Sequence, residues 1–178
     1  YRVKSEAGKM RVSLERFDVR TTGNELHDTV RPVVEKNDNK LTVTFGEGIG
    51  AMKADLTKTK QILLNLLSNA AKFTRSGTIT LMVEECTFDG HPGLTFVLTD
   101  TGVGMTRDQA SKIFDPFTQA DVTTTRKYGG TGLGLALVSR FCQMMSGDVS
   151  VDSQPGIGSR FTVRLPRDVP EPAIENAA

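Results

Sequence analysis

The chain has 178 residues, 38% of them hydrophobic and 24% charged, with a net charge of +1. That length supports one domain with a full core, and the balanced charge excludes the basic footprint of a nucleic-acid binder or an acidic-membrane binder. No apolar run approaches the roughly 20 residues of a membrane span and no signal peptide opens the chain, so no membrane contact is expected of it.

Tyr1 to Met10 is polar and helix-prone, and reads as the end of a helix belonging to an upstream domain. Val12 to Val19 alternates loosely and predicts an edge strand. Thr22 to Lys36 carries Leu26, Val30, Val33 and Val34 at helical spacing, with Thr22 as candidate N-cap and Pro32 as a flaw that could kink the helix. Lys40 to Phe45 is a short alternating strand, and Gly46 to Ala51 a turn-rich connection.

Leu56 to Thr74 is the stretch around which the rest is organised. Leu63, Leu66, Leu67 and Ala70 recur at i, i+3, i+4 and i+7 and make one apolar stripe. Asn65, Asn69 and Lys72 make a second, polar stripe roughly opposite it at about 100° per residue. Asn is a middling helix former, so two of them mid-helix suit a binding face better than a merely solvated one. Asp55 or Thr57 is the candidate cap.

Ile79 to Val83 predicts a strand, and the turn residues between Phe88 and Gly93 make it a hairpin with Leu94 to Leu98. That second strand is nearly continuous in apolar residues, which predicts burial on both faces. It empties into Asp100-x-Gly102-x-Gly104, an acid at a strand end followed by glycines that allow close backbone approach. A plain β-turn is the simpler alternative. Arg107 to Ile113 predicts a short helix, leading to Phe114 and Phe117 around Pro116. Thr118 to Tyr128 lacks apolar periodicity, as lids and binding loops do.

Gly129-Gly130-Thr131-Gly132-Leu133-Gly134 opens a helix predicted over Leu133 to Met145, with Leu137, Val138, Phe141 and Met144 inward. Glycines at a helix N-terminus make an anion site, because free N–H groups and the helix dipole favour negative charge. The pattern is neither a Walker P-loop nor a dinucleotide fingerprint. Val149 to Asp152 and Phe161 to Leu165 predict strands around a turn containing Gly156-x-Gly158, and Pro166 to Ala178 reads as a disordered linker or tail. Cys86 and Cys142 read as two buried thiols, with no CxxC or HExxH for a metal; this fits a reducing, cytoplasmic compartment.

Four blocks, Asn65…Asn69-x-x-Lys72-Phe73-Thr74, Asp100-x-Gly102-x-Gly104, Phe114-x-x-Phe117 and Gly129 to Gly134, stand in an order that resembles the ATP-binding catalytic domain of two-component sensor histidine kinases, in the GHKL superfamily. SEAGKM with Phe17-Asp18-Val19 resembles the junction that precedes this domain in hybrid-type kinases. The resemblance implies an α+β sandwich, a mixed sheet of about five strands with three helices on one face. It implies a junction over 1–14, a catalytic domain over 15–166 and a tail over 167–178. It further implies ATP and Mg²⁺ as cofactors. Asn69 would ligate the metal, Asn65 would support that site, and Lys72 would approach phosphate oxygens. Asp100 would bind the adenine amino group and Phe73 would sit near the ring, with Gly102, Gly104, Phe114 and Phe117 in the binding motifs. Gly130, Thr131, Gly132, Leu133 and Gly134 would cradle phosphates under an ATP lid over 117–130 that carries Arg126 and Lys127.

Relatives that hydrolyse ATP carry a Glu one helical turn before the metal Asn. The corresponding residue here is Asn65, an amide that takes no proton at neutral pH, so the resemblance implies transfer to a protein acceptor over hydrolysis. The acceptor would be a histidine on a dimerisation domain, with a response-regulator receiver domain downstream. His27-Asp28 mimics the acceptor pair but falls after the junction motif, on the domain's own first helix. The fragment is therefore expected to be monomeric and unable to phosphorylate itself. A degenerate module of the same fold that binds ATP without transfer is the alternative.

Overall fold

The computed structural model describes residues 11–116 and 134–171. The elements run β1 (Glu15–Asp18), α1 (Val19–Glu35), β2 (Lys40–Phe45), β3 (Ala51–Ala54), α2 (Leu56–Phe73), β4 (Thr78–Phe88), β5 (His91–Asp100), α3 (Arg107–Lys112), α4 (Gly134–Met144), β6 (Asp148–Gln154) and β7 (Gly158–Pro166). The main sheet has five strands in the order β2-β4-β5-β7-β6. Only β2 and β4 pair in parallel; the other neighbours are antiparallel.

Register explains where the core sits. One cross-sheet row runs Phe45, Val83, Phe96, Val163, Val149, and the next runs Val43, Leu81, Leu98, Phe161, Val151. Their central members are buried against α1, α2 and α4. The third row runs Leu41, Ile79, Asp100, Ser159, Ser153. The helix-covered face is thus apolar for two rows and turns polar at one end. Alternate residues such as Met82 and Glu84 face outward, since side chains switch faces every residue.

α2 is the central helix, capped by Asp55, whose carboxylate accepts from Lys58 N. Ile62, Leu63, Leu66, Leu67, Ala70 and Ala71 are buried, a broader arc than the predicted stripe. At its other end Asn37 Nδ2 donates to the Ala71 carbonyl and Asn39 Nδ2 to the Thr74 carbonyl, at 2.9 and 2.7 Å. These bonds satisfy carbonyls that a helix end leaves without partners.

Several expectations change. α1 begins at Val19, capped by Asp18 through Thr21 N, instead of at Thr22. Pro32 lies inside that helix. β3 was not expected: Ala51 reads as the end of a connection and 52–54 carry no assignment, whereas the strand pairs antiparallel with β1 in a separate two-stranded sheet. β5 alternates between buried and half-buried positions, so only one of its faces is fully covered. In α4 the inward positions are Val138 and Cys142, followed by Met145; Leu137, Phe141 and Met144 are half-buried.

The chain also stays packed past Pro166. Lys53 N donates to Arg167 O, Val169 N to Lys53 O, and Val169 is buried. Upstream, Ser13 N donates to Asp55 Oδ2 at 2.9 Å. Both cysteines are free thiols, Cys142 buried and Cys86 half-buried. Burial, with Asp148 nearby, pushes the Cys142 thiol up to about 12, so it packs as an inert hydrophobe.

Candidate functional site

The polar end of the sheet and the C-terminal end of α2 meet through backbone bonds. Val103 N donates to the Phe73 carbonyl at 3.0 Å, and Thr101 Oγ1 accepts from Thr78 N at 3.0 Å. The Asp100–Gly104 loop therefore docks on the last turn of α2. Asn69 lies four residues before Phe73, on the same helix face. One end of one helix thus joins the Asn69 and Asp100 motifs.

Glycine is required at both of the loop's glycine positions. A Cβ on Gly102 would collide with the Phe73 carbonyl oxygen and would lie 2.9 Å from Asp100 Oδ1. Gly104 has φ +66°, and a Cβ there would run into the Gln154 carbonyl. A side chain at either position would separate the loop from the helix or from β6.

Asp100 is 5% exposed. Its Oδ1 accepts from Gly102 N at 2.9 Å. Burial holds its carboxyl above the usual carboxylate range, against the opposing effects of the Gly102 and Ser159 amides and the nearby Thr74 hydroxyl. Ser159 and Ser153 continue the same row. Their hydroxyls lie 2.8 Å apart, and Ser153 Oγ accepts from Met105 N at 2.8 Å. The two serines were not singled out from sequence, and Thr74 stood only as the last residue of the α2 motif, with no role given to it. The signal for the serines is their place in the cross-strand row with Asp100, visible only once the strands pair.

The amides of α2 differ. Asn65 is engaged on both sides: its Oδ1 accepts from Gln61 Nε2 at 2.8 Å, and its Nδ2 donates to the Gly134 carbonyl at 3.1 Å. It thereby ties α2 to the first residue of α4. Asn69, half-buried, makes no side-chain hydrogen bond among the described residues, and Lys72 is exposed. Phe114 packs edge-on to Phe161, with ring centroids 6.1 Å apart, so it belongs to the main core's margin. Phe117, Arg126, Lys127, Gly130, Thr131, Gly132 and Leu133, and the loop read as a lid, lie outside the described residues.

Chemically the site offers a buried acceptor at Asp100, an amide oxygen at Asn69, an ammonium at Lys72 and a helix N-terminus at Gly134. Among the described residues no three His, Cys, Asp or Glu side chains cluster as metal ligands, and no helix is long and apolar enough to cross a membrane.

A five-stranded mixed sheet under helices, with a buried acid at a strand end and an amide-bearing helix beside it, defines an α+β sandwich class. The chain belongs to the family of histidine kinase-, DNA gyrase B- and HSP90-like ATPases, whose profile matches residues 54–169. It is 39% identical over 166 residues to the autoinducer 2 sensor kinase/phosphatase LuxQ of Vibrio parahaemolyticus, covering 92% of this chain and 19% of LuxQ. It is 38% identical over 164 residues to the sensor histidine kinase RcsC of Escherichia coli, covering 92% of this chain and 17% of RcsC. The chain therefore spans less than a quarter of these relatives' length. Among solved structures, full-length ShkA in complex with AMPPNP matches with a TM-score of 0.76 at 31% identity, over 87% of this chain and 31% of that one.

Proposed function

We propose that the chain binds Mg·ATP at the C-terminal end of α2 and donates the γ-phosphate to a histidine on a separate dimerisation domain, in a relay that continues to a receiver domain. The observation that carries this reading is the convergence of three motifs on one helix: Asn65 bonded to Gly134, Asn69 one turn on, and the Asp100 loop bonded to Phe73. The names of LuxQ and RcsC, and the AMPPNP in ShkA, support the same class.

The residues fit the cofactors. Asp100 accepts from the adenine N6–H, whereas guanine presents a carbonyl there and opposes two acceptors. A buried polar group left unpaired costs on the order of 1–3 kcal/mol, more if charged, which selects adenine. Asn69 carries the side-chain oxygen available to Mg²⁺, which takes few protein ligands and keeps several waters. When bound, the metal would neutralise phosphate charge and orient the triphosphate. Asn65, held by Gln61 and Gly134, positions α2 against α4. Lys72 and Arg126 supply positive charge to the phosphates, and Gly134 opens a helix whose N-terminus favours an anion.

In the transfer step the acceptor imidazole nitrogen forms a bond to the γ-phosphorus while the β,γ-bridging P–O bond breaks and ADP leaves. Asn65 cannot take a proton from water, so this position does not supply the base that hydrolysis needs. His27 lies on α1, with its Nδ1 3.3 Å from Asp28 Oδ1, on the catalytic domain itself. It is not assigned as the acceptor.

Radiolabelled ATP with the isolated dimerisation domain added in trans tests the reading. Label is expected on that domain's histidine, none on this chain alone, and the same transfer from His27→Gln. Tight ATP binding without label on the added domain would favour a nucleotide-sensing module.

A further inference from the structure

Among the described residues, one buried side-chain polar atom has no hydrogen-bond partner, the Thr74 hydroxyl. Thr74 is fully buried and held on all sides. Its carbonyl accepts from Asn39 Nδ2, and its extended backbone ends α2. A Cβ on Gly77 would lie 2.7 Å from its methyl carbon, and one on Gly102 would lie 2.7 Å from its Oγ1. That same point on Gly102 is 2.9 Å from Asp100 Oδ1. The methyl therefore faces the α2–β4 turn and the hydroxyl faces Asp100. It lies near enough to the carboxyl to favour its charged form, without the geometry of a completed hydrogen bond.

Buried polar atoms in folded proteins nearly always have partners, and an exception calls for a cause. Stability alone favours valine here, which has the same shape and no hydroxyl to satisfy. The Thr74 hydroxyl and the Asp100 carboxylate converge on the Gly102 backbone, which is where the proposed ligand's base would approach.

We propose that the Thr74 hydroxyl is a base-recognition group of the nucleotide site, left open by the fold and satisfied by the hydrogen-bonding edge of a bound adenine beside Asp100. This rests on the reading of the site as an adenine-nucleotide site. A hydroxyl suits the position because it both donates and accepts, so it can serve the base and the carboxylate together.

The test compares Thr74→Val and Thr74→Ser in this chain by ADP calorimetry and by denaturation without nucleotide. Thr74→Val is expected to bind ADP about tenfold more weakly while matching or exceeding the wild type in stability. Thr74→Ser, which restores the hydroxyl, is expected to stay within about twofold of wild-type affinity. Unchanged ADP affinity in Thr74→Val would overturn the proposal, as would equal loss of affinity and stability in both variants, which marks a packing role. Failure of the wild type to bind ADP would instead remove the reading on which the proposal rests, and the proposal with it.

Discussion

The two ends of α2 each bury an aspartate, and the two aspartates are held in opposite ways. Asp55 at the N-terminal end is 3% exposed and Asp100 beside the C-terminal end is 5% exposed. Burial pushes both carboxyls up. At Asp55 that push is outweighed by the Lys58 and Ser13 amides and by the Lys58 ammonium 3.0 Å away, so its carboxyl lies below the usual range. At Asp100 two amides and one hydroxyl do not outweigh burial, and among the described residues no cation contributes, so its carboxyl lies above that range. One acid is complete within the fold and the other is left with acceptor capacity for something else. A buried charge without its full complement of partners is a feature of binding and catalytic sites.

The completed end also anchors its surroundings. Lys58 Nζ donates to the Arg11 carbonyl at 2.8 Å and stands 5.6 Å from the Phe141 ring centroid, and Thr59 Oγ1 donates to Asp55 O. The residues before β1, the start of α2 and α4 are thus pinned at one point.

The contrast can be broken from either side. The largest effect is expected from Asn69→Ala, which removes the side-chain amide oxygen of the open end. Phosphoryl transfer in trans should fall by about 100-fold or more, with the denaturation midpoint little changed. Transfer at the wild-type rate would remove Asn69 from the metal role. Next comes Asp55→Ala, which leaves the Lys58 charge buried without its partner. Breaking such a pair costs about 3–5 kcal/mol, to be read by urea denaturation; a loss of a few tenths would make the pair incidental.

A third prediction concerns pH. Asp55 has a depressed folded value, so its stabilisation is full above the unfolded carboxylate value of about 3.9 and is lost as pH falls through the folded value. Asp100 has a raised folded value. Its contribution is fully present below about 3.9 and is lost as pH rises through the folded value. Stability against pH should therefore lose an acid-side slope in Asp55→Asn and a slope of opposite sign, at higher pH, in Asp100→Asn. Identical profiles for the two variants would erase the distinction.

Much of this was legible in the sequence, for physical reasons. α2 has a sharp cap, eighteen residues and a strong apolar arc, so its bounds and its Asn65 and Asn69 face could be read directly. β2 alternates cleanly and its ends were right. β3 was missed because AMKA lacks the β-branched run of a strand; its register comes from β1 and from Arg167–Val169. Val19 alternates with Phe17, and only the Asp18 cap shows that a helix starts there. The α4 face was misplaced because Phe141 and Met144 are larger than Cys142, yet Cys142 and Val138 lie in the i, i+4 line toward the sheet. Within the site, Asp100 and its glycines were evident from a short motif. Thr74 stood in a motif without a role, and Ser153 and Ser159 were not evident, because a lone hydroxyl has no pattern of its own and gains its meaning from a strand or helix distant in sequence.

The most direct test of the account measures Asp100→Asn twice: without nucleotide by urea denaturation, and with ATP by calorimetry. The amide should hold its backbone partners without carrying a desolvated charge, so the account predicts equal or greater stability together with ATP affinity lowered by roughly 5- to 100-fold. Wild-type ATP affinity in this variant, or a fold destabilised in step with the loss of binding, would contradict the claim that this acid is kept open for a purine.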